Sequence, residues 1–307
     1  YSSAASDVYK RQLCYFFTKT VSYLLAKLKF LFMTKQEKLI GIHPDNTDPF
    51  GKWLKVNDLP DSGTKCHREL TESTAIDNDL IEWMARKIIN HHYTQSRIDK
   101  LKQKYKSLGY AKYAAQHRKL PIEDKVKKGN ATEILLTDYI QTARGKEFIK
   151  FFKLRYNPNV DQAIKGDDVL MVDLFEENGN EKIKIYLGES KFRKAPSKDV
   201  VEDIANSLSK DTLPLSYTFL VEEIAKTDEI LAEKLDDYIV QDVKDRGDLI
   251  YAGLLLSNTD TSRTVERHLN SDNSNLVFIS VGIDNPERFI ESVFERAEEL
   301  IANPDLL

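Results

Sequence analysis

Cysteine is nearly absent from this chain: of 307 residues only Cys14 and Cys66 carry a thiol. Two cysteines argue against a disulfide scaffold and fit a reducing cytoplasm. The six histidines show no zinc-ligand spacing, and the adjacent His91 and His92 would point apart on a helix. Glycine and proline are sparse at 12 and 9 residues, as in an ordinary globular protein. A long uninterrupted apolar run is missing too. Residues 13–32 come nearest, but Lys19, Lys27 and Lys29 break them and no small-residue cleavage site follows, which argues against a membrane span. The chain opens at Tyr1, and residues 1–32 are expected to be non-native read-through ahead of a start at Met33, with a membrane anchor as the alternative. A net charge of −4 announces no polyanion partner, so the charge distribution has to be examined instead.

What the chain does have is an apolar run that ends in charge. In Lys182-Ile183-Lys184-Ile185-Tyr186-Leu187-Gly188-Glu189-Ser190-Lys191, strand alternation places Glu189 and Lys191 on the face of Ile183, Ile185 and Leu187. Upstream, Gly166-Asp167-Asp168 opens a second apolar run, Val169-Leu170-Met171-Val172. Between the two runs Glu176-Glu177-Asn178-Gly179-Asn180 carries an Asn-Gly hairpin cue. A hairpin with its turn there brings Asp168 and Glu189 together at the open end, with Lys191 beside them. Two carboxylates suit Mg²⁺, which takes one or two protein oxygens and keeps waters and phosphate oxygens as its other ligands. Lys191 would orient or deprotonate an attacking water, or neutralise a non-bridging oxygen. The chemistry that fits is metal-dependent phosphodiester hydrolysis. The plain alternative is a cross-strand ion pair between Glu189 and Lys191 at a sheet edge, worth ~0.2–1 kcal/mol. Two further acidic-x-Lys triplets, Glu123-Asp124-Lys125 and Asp242-Val243-Lys244, lie in charge-dense stretches and read as solvated surface.

Residues 94–128 hold eleven Lys/Arg against three acids, with Tyr105, Tyr110 and Tyr113 interleaved. Lys100, Lys102, Lys104, Lys106, Lys112, Arg118 and Lys119 are candidate phosphate contacts, and the tyrosines candidate stacking platforms. The alternative is a solvated helix face with the tyrosines packed inward. Residues 73–90 read as a helix capped by Asp77 or Asn78, residues 132–142 as a helix carrying Glu133, and residues 148–156 as a strand. Residues 197–210 and the acidic stretch 220–248 read as helical, the latter a surface for a protein partner. Residues 249–256 and 276–283 read as buried strands, and Pro286 opens a last helix. Alternating strands and helices give an α/β layered core.

The order helix with Glu133, strand, strand opening with Gly166-Asp167-Asp168, strand ending in Gly188-Glu189-Ser190-Lys191-Phe192, then helix resembles the PD-(D/E)xK nuclease superfamily. The wording of these segments resembles the HamA family, nuclease effectors of Hachiman anti-phage defence, over about residues 129–300. The resemblance implies a restriction-endonuclease-like mixed sheet flanked by helices, with a mainly helical N-terminal region. Residues 33–128 would form that basic N-terminal region and residues 129–307 the nuclease domain. It further implies Asp168 and Glu189 as Mg²⁺ ligands, Asp167 competing for the first position, Lys191 as catalytic lysine and Glu133 as auxiliary acid. DNA would be the substrate, and a HamB-like helicase the partner. A catalytically silent DNA-binding or scaffold module on the same fold is the alternative function.

Overall fold

The computed structural model describes residues 28, 30–100, 119–150, 152–157, 159–162, 168–177, 179–209, 215–242, 248–303 and 306. Its centre is a seven-stranded mixed sheet in the order β1-β2-β7-β6-β5-β4-β3. These strands are β1 (Leu54–Asp58), β2 (His67–Glu72), β3 (Ile149–Lys150), β4 (Val169–Glu177), β5 (Asn180–Phe192), β6 (Leu249–Ser257) and β7 (Leu276–Gly282). Strands β5, β6, β7 and β2 run parallel, while β1, β4 and β3 pair antiparallel at the two edges.

Alternation along the central strands divides the core into two layers. Val169, Met171 and Tyr186 join Ala252, Leu254, Val277 and Ile279 in one cluster; Leu170, Val172, Ile185 and Leu187 join Leu255 and Phe278 in the other. The first layer is closed by α1 (Lys35–Ile40), α2 (Pro49–Trp53), α3 (Asn78–His92), α4 (Asp124–Arg144) and α9 (Pro286–Ala302). The second is closed by α5 (Lys198–Ser207), α6 (Leu215–Ala225), α7 (Glu229–Asp242) and α8 (Thr261–His268). Helix α9 shows how the pattern becomes packing. Asn285 caps it, accepting from Arg288 N, Pro286 sits in the first turn, and the stripe Phe289, Ile290, Val293, Phe294, Ala297 and Leu300 is buried. No helix among the described residues is long and apolar enough to cross a membrane.

The β4–β5 hairpin forms as its turn chemistry requires. Glu177 pairs with Asn180, and Gly179 has φ +78°, a backbone state that glycine enters at little cost. Two expectations are corrected, and two strands join the sheet from the N-terminal region. Residues 148–156 form only the two-residue β3, followed by a three-ten helix at Lys153–Tyr156 that buries Lys153 and Leu154. Among its described residues the N-terminal region holds more helix than strand, yet it also supplies β1 and β2, which extend the same sheet. Their charged residues disguise them: Arg68 is fully buried, held by both oxygens of Asp58 (2.7 and 2.8 Å) and donating to Gly41 O. Helix α4 is twice the expected length and lacks an amphipathic stripe, since residues 130–140 are all buried between the sheet and the outer helices.

Candidate active site at the end of the hairpin

The β4–β5 ladder ends at Val169 opposite Gly188, and the candidate residues gather just beyond. Close approach of α4 to β5 is possible because residue 188 is glycine. A Cβ there would sit 2.8 Å from both Leu136 Cδ2 and Val169 Cβ. Past this point β4 no longer supplies a backbone acceptor to β5, and the Asp168 carboxylate takes its place. Asp168 Oδ2 accepts from the Ser190 N–H at 2.9 Å and from the Ser190 hydroxyl at 3.2 Å. The same hydroxyl oxygen lies 3.3 Å from Thr132 Oγ1 on α4.

Glu189 and Lys191 sit where alternation predicts, on the other face of β5 from Ser190, and their side chains form an ion pair. On the neighbouring strand Gly253 pairs with Glu189, and a Cβ there would strike Ile204 Cγ2 at 2.6 Å. That glycine lets α5 pack closely beside the carboxylate. The third acid, Glu133, is buried on α4, and Lys153, which no sequence motif marks, joins it to Asp168. Lys153 Nζ lies 3.0 Å from Glu133 Oε2 and 3.2 Å from Asp168 Oδ1. The signal for Lys153 was faint: a single cation in the aromatic run Phe151-Phe152-Lys153-Leu154, which read as a strand residue.

Crowding of these acids shifts their protonation. Burial raises the Glu133 pKa to about 8, with the charges of Asp168 and Glu189 adding to the shift and the Lys153 ammonium opposing it. Burial and the charge of Asp168 also raise Glu189, against the stabilising contacts from Lys191 and Ser207. A carboxylate whose proton affinity is raised by a neighbouring acid in this way suits a divalent cation, which would offset the repulsion. The donors are hard oxygens, suited to Mg²⁺ rather than to a thiophilic metal. Among the described residues no group of three or more His, Cys, Asp or Glu side chains is arranged to hold a metal, so a cation here would take most of its ligands from water or substrate.

Asp168, Ser190 and Lys191 line an open cleft of about 670 Å³ between the first turns of α4 and the end of β5, with Lys125, Lys128 and Lys194 on its walls. Lys128 and Lys194 both pair with Glu287 of α9 (2.9 and 3.1 Å). Of the candidate nucleic-acid contacts, Lys100 is exposed and Lys119 donates to Arg155 O at 3.4 Å. Lys102, Lys104, Lys106, Lys112, Arg118 and the competing acid Asp167 lie outside the described residues. His91 and His92 are buried on α3, His91 beside Asp138 (3.3 Å) and His92 between Ile88 O and Asn130, as neighbours of the core and not as a metal pair.

A family model described as HamA matches residues 48–297 of the chain. The chain is also similar to the "Hachiman protein HamA" of Bacillus cereus, with 37% identity over 273 residues that cover 87% of this chain and 96% of that protein.

Proposed function

This chain belongs to the HamA family, and from that premise we propose that it is a metal-dependent DNA endonuclease, the effector of a Hachiman anti-phage system working with a HamB-like helicase. One observation carries the reading. Asp168 stands at the end of β4 within the electrostatic field of Glu189 and lines, with Lys191, an open cleft of about 670 Å³ in which Lys and Arg outnumber the acids.

Asp168 and Glu189 would hold Mg²⁺. When bound, the cation supplies Lewis-acid polarisation of a phosphoryl oxygen and a more acidic water. The chain's own groups do the rest. Ser190, through its N–H and hydroxyl, fixes the Asp168 carboxylate in one orientation, so that little reorganisation is needed when charge develops. Lys191 Nζ, held by Glu189, is a donor that steers the attacking water or a non-bridging phosphate oxygen. Lys125, Lys128 and Lys194 would meet the flanking phosphates, and the basic residues 94–128 would extend that contact, giving salt-dependent binding. Glu133, buried on α4 and bridged to Asp168 by Lys153, would support the site from behind as an auxiliary acid.

The test is plasmid cleavage by the purified chain, with its helicase partner, in Mg²⁺ or EDTA. Cutting is expected in Mg²⁺ alone and is expected to fall by at least ~100-fold in both Glu189→Ala and Lys191→Ala, the usual scale for loss of one electrostatic group at a reacting centre. DNA retention in gel shifts without cutting by any of the proteins would instead assign the silent binding module.

A further inference from the structure

Both oxygens of Asp168 accept hydrogen bonds in this structure. Oδ2 is held by Ser190, and Oδ1 accepts from Lys153 Nζ at 3.2 Å. The same ammonium reaches Glu133 Oε2 at 3.0 Å. Lys153 is only 7% exposed. Burying an ammonium is costly, and the two carboxylates facing it offset that cost. Its position is also built in. The three-ten helix that carries it is tied to α3 by the Arg155 guanidinium donating to Asn90 O (2.7 and 3.3 Å), and to α6 by Tyr156 Oη donating to Glu223 (2.8 Å). The ammonium therefore stands beside Oδ1, the Asp168 oxygen with acceptor capacity left for a cation.

We propose that Lys153 is a positioning residue that holds Asp168 together with Glu133 and competes with the divalent cation for Asp168 Oδ1, so that it sets how tightly the site binds metal. This rests on the metal-dependent reading above. A resident ammonium at this place fixes the Asp168 carboxylate against α4 before metal arrives, and it weakens the cation's hold on Asp168.

Removing Lys153 alone would leave Glu133 buried without its counter-charge, so the comparison is made in a neutralised background. The probe is Mn²⁺, followed by electron paramagnetic resonance on the full chain without nucleic acid, with circular dichroism melts to establish folding. Glu133→Gln is compared with Glu133→Gln/Lys153→Met. The second is expected to bind Mn²⁺ at least about tenfold more tightly, a lower bound, since a unit charge a few ångströms away at an effective dielectric of ~20 shifts affinity by up to about a thousandfold. Lys153→Gln in the otherwise unchanged chain, which keeps a hydrogen-bond donor between the acids, is expected to shift affinity in the same direction. The control is Lys150→Met, which removes a nearby cation that pairs with Asp138 at 3.9 Å. It is expected to leave affinity unchanged. Equal affinity with and without Lys153, weaker binding without it, or an equal gain from Lys150→Met would overturn the inference. Mn²⁺ bound by the parent chain and lost in Glu189→Gln, but insensitive to Lys153, would sink this inference while leaving the metal site intact. Binding by none of the proteins would sink both.

Discussion

At the scale of single residues, position 188 shows how tightly the site is packed. Glycine there is required by contact and not by backbone angle, because α4 and β4 leave no room for a methyl group. Gly188→Ala must push Leu136 or Val169 aside, and overpacking of this kind costs about 1–3 kcal/mol. The urea midpoint is expected to drop by that amount with an unchanged slope, and cleavage is expected to fall with it, since the same shift displaces Ser190 and Asp168. A stable variant with full activity would show that the helix gives way freely. Glu189 and Lys191 were legible from the sequence because strand alternation fixes the face of a side chain without reference to its neighbours. Lys153 was not, because its role comes from two acids 20 residues before it and 15 residues after it.

At the scale of elements, the hairpin sets the register of the site while its turn stands at the opposite end. Nine residue pairs separate the two, from Glu177↔Asn180 to Val169↔Gly188. Gly179→Ala forces a side chain into φ +78°, at a cost of ~1 kcal/mol. Thermal stability is therefore expected to fall slightly while cleavage per folded molecule stays unchanged. A large loss of activity would mean that the turn communicates with the far end. Elements with clean patterns, such as α9, β6 and β7, were readable because each buries one periodic face or a continuous apolar run. Helix α4 and strands β1 and β2 were not: α4 is buried on nearly every side, and the strands hide charged residues whose partners are distant in sequence.

At the scale of the whole molecule, buried imidazoles set the response to acid. His67, bonded to Ser280 at 2.8 Å, and His92 are both buried neutral, and burial lowers each pKa to about 4. The unfolded chain takes up their protons near pH 6.5, so between pH 6.5 and 4 it binds more protons than the folded one. Stability falls as pH drops through that window by about 1.4 kcal/mol per pH unit for each imidazole. Glu133 works in the opposite sense. Its raised pKa favours the folded state below pH 4.5, a contribution lost as pH rises towards 8. Urea melts over a pH series are expected to show a His67→Gln variant, which can still bond Ser280, losing about one proton's worth of the acid slope. An identical slope would mean that His67 is protonated in the folded protein.

The sequence alone determined the local features: that the apolar runs of β4 to β7 are strands, where the hairpin turns, and that an acid and a lysine share one face at its end. These depend on neighbours within a few residues, so periodicity and turn chemistry suffice. The tertiary structure decided which charges meet. Ser190 on Asp168, Lys153 between two acids and Arg68 on Asp58 are contacts in which burial makes an unpaired charge costly, and only the folded arrangement supplies the partner.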